Sequence, residues 1–231
     1  EIEKAIELNP DAHFGREVYQ KLLVEYVLEN TTDGELQLPM FPDSNGDGSY
    51  AYGFGFYVME SKRHGAKWTD DEYREEGEKA TNGILGMMRF GNHDSPVLLE
   101  ALSDLLMMRS DQAQAKQLAA RALLQASFVS DEPEQKSAYR QKAEDVLSMQ
   151  TRGANSSSDS MSLSDLETQF LAELDEGMSW YEQVVAQEKS WIEDGQNPEI
   201  EYARHYAAPP SQSVRETIID RAERLIRPVP P

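Results

Sequence analysis

The residues whose types and spacing come nearest to chemistry are Asp43-Ser-Asn45-Gly-Asp47-Gly48. Side-chain oxygens at alternate positions, followed by a glycine that permits the turn, form the first half of a calcium loop. A complete loop closes on a bidentate glutamate twelve positions from its start, and Phe54 stands there instead. The pattern makes Asp43, Asn45 and Asp47 candidate ligands for Ca2+, with an ordinary Asp/Gly turn as the competing reading. No other cofactor is expected.

The remaining chemistry-bearing residues are scattered. His13, His64, His93 and His205 form no HExxH or similar close pair, and His13 with Glu17 is the nearest approach to a shared metal. His93-Asp94 precedes Ser95-Pro96 and reads as helix-capping chemistry. Adjacent acids recur at Asp70 and Asp71, Glu75 and Glu76, and Asp175 and Glu176. Two carboxylates are what a glycosidase uses as acid and base. Solvated helix faces explain these pairs as well, and such glycosidases are usually much larger barrels. No GxSxG, SxxK or phosphate-binding glycine loop frames a serine or a nucleotide.

Composition narrows the classes further. Acidic residues outnumber basic ones 42 to 22, a net charge of −20, which opposes binding to nucleic acid or anionic membranes through bulk charge. Basic partners and cations fit better. Cysteine is absent, which removes disulfides, thiol nucleophiles and Cys-type zinc sites. No apolar run reaches the ~18 residues of a membrane span, so no membrane insertion is expected.

The elements that must position these residues are helical. Phe14, Val18, Leu22 and Tyr26 recur every fourth place and predict a helix over 12–29, with Glu17 and Lys21 spaced to pair across one turn. Residues 30–50 are turn-rich and predict a loop. Tyr50 to Met59 holds aromatics and two glycines, and its setting favours a packed helix over a strand. Thr69-Asp-Asp-Glu72 has the form of a capping box and opens a helix running to Phe90. Ser95-Pro96 opens another, to about Met108. Asp111 begins a third, carrying Ala115, Leu118, Ala119, Ala122 and Leu123, and Asp131 a fourth, to about Met149.

Residues 151–162 are rich in Gly, Ser and Asn and are expected to be a flexible linker. Ser164-x-x-Glu167 is expected to cap a long helix ending near Gly195. Its apolar positions, Leu166, Phe170, Leu174, Gly177, Tyr181, Val184 and Trp191, follow three-four spacing. Leu163 to Glu201 holds eleven acidic residues and one basic, Lys189. Trp180 and Trp191 lie about three turns apart. They predict either a packed core or an exposed aromatic stripe suited to a basic amphipathic partner. A short helix is expected over 213–226.

Ala5 and Pro10 stand five apart, as do the last Ala and the closing Pro of a tetratricopeptide repeat (TPR). In this respect the chain resembles that family, whose ~34-residue unit is a pair of antiparallel helices. Leu102-Ser103 matches its Leu-Gly, Leu106 its aromatic position, and Ala115 and Ala122 two of its small positions. Ser127 stands in place of the closing Pro, no Trp opens the unit, and the matching alanines, Ala5 and Ala122, are 117 positions apart.

The resemblance implies TPR-like helical hairpins, an α-solenoid fragment with an additional C-terminal long helix, and a non-enzymatic protein–protein interaction scaffold. Opening in mid-repeat implies that further repeats precede residue 1, and an exported or periplasmic location is favoured slightly over the cytoplasm. The organisation expected is a TPR-like domain over 1–150, the linker, and an acidic helical segment over 163–231. The partner expected is a protein or peptide, with the acidic charge favouring a basic one, in a groove lined from helices 12–29, 69–90 and 97–126. The alternatives are an all-α hydrolase using paired carboxylates and a cation-dependent binding module.

Overall fold

The computed structural model describes residues 3–4, 16–40, 53–108, 113–149 and 161–207. The described chain is all-α apart from one small ribbon. Helix α1 spans Arg16–Glu29, and the ribbon pairs β1 (Thr31–Thr32) with β2 (Glu35–Leu36) in antiparallel register. There follow α2 (Phe54–Arg63), α3 (Asp70–Phe90), α4 (Pro96–Met107), α5 (Ala113–Val129), α6 (Pro133–Ser148), α7 (Leu163–Glu193) and α8 (Pro198–Tyr202), with a π turn over Ala203–Ala207.

Local chemistry accounts for several boundaries. Thr69 accepts from the Glu72 amide while the Glu72 carboxylate accepts from the Thr69 amide, the predicted reciprocal capping box. Ser95 occupies the N-cap of α4 with Pro96 behind it, although its hydroxyl makes no capping bond. The ambiguous stretch around Tyr57 is helical, as favoured. Two expectations need correction. The loop over 30–50 contains the ribbon, because Asp33 and Gly34 both adopt positive φ, 54° and 82°, and so supply a tight hairpin turn. The cap of α7 is Ser162, whose hydroxyl accepts from the Asp165 amide, so the start lies two residues before the expected Ser164. Lys21 pairs with Glu25 and Glu3. The linker residues 151–160 and the helix expected over 213–226 lie outside the described residues.

The chain divides into two compact units, Glu1–Leu171 and Ala172–Pro231. In the first, α4 is the central element. It packs against α2, α3 and α5, and α5 packs in turn on α6. One cluster joins Tyr19, Leu23, Tyr26, Met40, Phe54, Val58, Ala80, Ile84, Ala101 and Leu105. The other joins Leu99 and Met107 to Leu123, Leu124, Tyr139, Val146 and Leu166. Since α4 contributes to both, it is enclosed on nearly every side, which its almost continuously apolar sequence permits. On α5 the small residues Ala115, Ala119, Ala122 and Ala126 are all buried at three-four spacing, where backbones can approach closely.

In the second unit the rest of α7 turns back through Gly195, at φ 71°, into α8. The Asn197 side chain caps α8 by accepting from the Glu199 and Ile200 amides. Trp191 is 4% exposed and stacks on His205 at 5.4 Å, with Tyr206 at its edge.

Candidate functional site

Of the helices expected to line a groove, those over 12–29, 69–90 and 97–126, α1 packs directly on α3 and α3 on α4. Tyr19 of α1 lies so close to Gly83 of α3 that a methyl group there would stand 2.6 Å from its ring, and its hydroxyl donates to Glu76 at 2.9 Å.

Within the first unit the fold assembles a buried charge cluster. Glu100 and Asp104 lie one turn apart on α4, and Tyr139 and Lys142 one turn apart on α6, so each pair occupies one helix face. Lys142, 6% exposed, reaches Glu100 Oε1 at 2.7 Å and Asp104 Oδ1 at 3.3 Å. The other carboxylate oxygens also accept bonds. Glu100 Oε2 accepts from the Met40 amide at 2.9 Å and the Tyr139 hydroxyl at 3.2 Å. Asp104 Oδ2 accepts from the Phe54 amide at 2.8 Å. Glu100 therefore pins the chain beyond the ribbon, and Asp104 pins the start of α2.

The electrostatics follow from the charge count. Two carboxylates face one ammonium with little water, so a full set of charges leaves an excess of one negative. Burial first, and the Glu100 carboxylate second, hold Asp104 above the ordinary carboxylate range, although Lys142 acts against them. Burial alone would lower the Lys142 ammonium. The two carboxylates outweigh it and hold it above the ordinary lysine value. Tyr26 and Tyr139 are raised, mainly by burial and further by these acids. The Tyr26 and Ser103 hydroxyls are buried without a hydrogen-bond partner among the described residues.

In the second unit the arrangement is inverted, because α7 carries an apolar line on its exposed side. Leu174, Met178, Tyr181 and Ile192 are 42%, 62%, 60% and 61% exposed, with Val185 half-buried between them. Their spacing continues a 3-4-3-4 register, and Glu188 takes the place between Val185 and Ile192. Val184 and Trp191, each about one turn from Glu188, are buried along the other border of the row, and Trp191 stacks on His205.

The candidate residues named from sequence fare differently. Asp43, Asn45, Asp47 and His13 lie outside the described residues. No group of three or more His, Asp or Glu placed to hold a metal occurs among the described residues. His93 is exposed beside Asp94, and His64 ends α2 in left-handed conformation. Asp71 and Glu75 make surface ion pairs with Arg74 and Lys79. The two tryptophans part: Trp191 is core and Trp180 is half exposed. No described helix is long and apolar enough to cross a membrane.

Sequence reasoning missed Glu100, Asp104 and Lys142. The available signal was two acids one turn apart inside Pro-Val-Leu-Leu-Glu-Ala-Leu-Ser-Asp-Leu-Leu-Met, a helix with no other polar face to place in water except Ser103. No protein-family model matches this chain, and no curated protein or solved structure matches it.

Proposed function

We propose that this chain is a non-enzymatic protein-interaction module of TPR-like kind. One observation carries the reading: the apolar line Leu174, Met178, Tyr181 and Ile192 lies exposed, while Val184 and Trp191 of the same helix are buried. Isolated exposed hydrophobics are normal, whereas a periodic row at coiled-coil spacing is what a partner helix needs. The buried alanine ridge of α5 is consistent with the close helix crossings of such repeats.

The hydrolase reading would require carboxylates open to a substrate. The pair that the fold gathers, Glu100 and Asp104, is buried and held by the protein's own donors. A cation-dependent module remains tied to Asp43, Asn45 and Asp47. On that reading, millimolar calcium raises the melting temperature and chelator reverses it, since a ligand of the folded state stabilises it. An unchanged melting temperature removes it.

The scaffold reading is tested by affinity capture with the chain and with Met178→Ser/Tyr181→Ser, each captured protein being purified and its binding remeasured. A partner bound by the parent chain and lost by the variant supports the reading. Equal binding by both removes the exposed row as the interaction surface.

A further inference from the structure

The exposed row on α7 has an electrostatic edge that selects among occupants. Asp175, Glu182 and Glu193 each follow a residue of the row by one position, Leu174, Tyr181 and Ile192 respectively. One position is a rotation of about 100°, so the three acids border the row on one side. Lys189 is the one cation on that edge, and Glu188 lies within the row itself. From Ala172 to Ala207 the unit holds nine acids against Lys189 and Arg204.

We infer that the row docks an amphipathic helix whose apolar line is flanked by Lys or Arg, with a cation placed to meet Glu188. This rests on the interaction-module reading and adds the chemistry of the partner. The apolar contact supplies the association, as knobs into holes along a three-heptad seam. The flanking acids choose between candidates. A cationic flank is attracted along the whole edge, whereas a neutral or acidic flank is not. A second copy pairing row against row fits poorly, because Asp175, Glu182, Glu188 and Glu193 would meet acids of the same kind. Val184 and Trp191, on the row's other border, are buried and add nothing to the docking surface.

The test uses the full chain and a synthetic three-heptad helical peptide with Leu along its apolar line and Lys on both flanks. Analogues carry Gln or Glu at the Lys positions. Binding is measured by calorimetry at about 0.15 M salt. The Lys peptide is expected to bind, the Gln analogue about tenfold more weakly, and the Glu analogue not measurably. Met178→Ser/Tyr181→Ser, which leaves net charge unchanged, is expected to lose the Lys peptide while keeping the parent's circular dichroism. Asp175→Lys/Glu182→Lys/Glu193→Lys is expected to reverse the preference toward the Glu peptide. Asp70→Lys/Asp71→Lys, remote in sequence, should leave it unchanged.

Four results overturn the proposal. Equal binding of the Lys peptide by the Ser variant would show that bulk acidity alone attracts it. Equal binding of the Lys and Gln peptides would show that the acids do not select. Self-association in sedimentation, lost in the Ser variant and with no peptide bound, would make a second copy the occupant while the interaction-module reading stands. If the parent chain binds no peptide and does not self-associate, both the proposal and the row as an interaction surface fall.

Discussion

The two units depart from the ordinary rule of apolar inside and charged outside in opposite directions. The first buries Glu100, Asp104 and Lys142, while the second leaves Leu174, Met178, Tyr181 and Ile192 in solvent. The departures teach different things. A buried ion cluster must be satisfied from within, so each oxygen contact constrains another element: Met40, Phe54, Tyr139 and Lys142 are all fixed relative to α4. Such a cluster specifies one arrangement more than it adds stability. An exposed apolar row constrains nothing in its own unit and costs little within it. Its free energy is realised only on contact with something else.

The comparison breaks most sharply at Lys142. Replacing it with Met leaves two buried carboxylates facing each other, and the expected loss is about 3–5 kcal/mol, read from urea denaturation. Adding Glu100→Gln should recover part of it, because the amide still accepts from the Met40 amide and carries no charge. A loss below about 1 kcal/mol would mean that water reaches the cluster and solvates the acids.

The next effect is steric. A methyl group on Gly53 would lie 2.3 Å from Asp104 Oδ2, the oxygen that accepts from the neighbouring Phe54 amide. Gly53 has φ −77°, so backbone strain is not the issue, and the missing space is. Gly53→Ala should cost about 1–3 kcal/mol as α2 moves off α4. Gly177→Ala in the second unit meets no atom within contact range and should not destabilise the chain. Matching urea midpoints for the two variants would show that the first unit is no more tightly packed there.

How much of this was legible follows the same division. Thr69 with Glu72 fixes a helix start because the capping chemistry is local, and the alanine spacing of α5 marks a close crossing. The three-four spacing over Leu174, Gly177, Tyr181, Val184 and Trp191 marks α7 as amphipathic, but it shares only Leu174 and Tyr181 with the exposed row. Sequence alone could not separate its sides, since Val184 and Trp191 are core while Tyr181 and Trp180 are not. For Trp191 that depends on the chain beyond Gly195, which brings His205 onto its ring. The Lys142 cluster joins residues some forty positions apart with amides at Met40 and Phe54. No local pattern announces such a meeting, and only the acids inside an otherwise apolar α4 hint that something must neutralise them.

pH sharpens the contrast further. In the folded chain Asp104 is held above the ordinary range by burial and by Glu100, so the folded state keeps a proton that the unfolded state releases. Its contribution to stability is complete below the ordinary carboxylate value near ~4 and is lost as pH rises through the raised folded value. Asp104→Asn keeps an acceptor for the Phe54 amide and should flatten that decline. Above about 10 the decline resumes, because Tyr19, Tyr26, Tyr139 and Lys142 are all raised and the folded chain again retains protons that the unfolded chain gives up. Thermal melts of both proteins across pH read the slopes. Identical slopes for parent and Asn variant would place the titrating group elsewhere.

The smallest expected effect is the most informative about the row. Met178 is more than half exposed, and its neighbours in the row, Leu174 and Tyr181, are exposed with it. Met178→Ser removes little buried area and opens no cavity. It also replaces a good helix former with a poorer one, at a cost of about half a kcal/mol. Urea denaturation should therefore find a loss of that size or less. A loss above about 2 kcal/mol would mean that Met178 is covered by the chain itself in solution, since only a buried methionine costs that much. The row would then be core, and the second unit would obey the same rule of burial that the first one breaks.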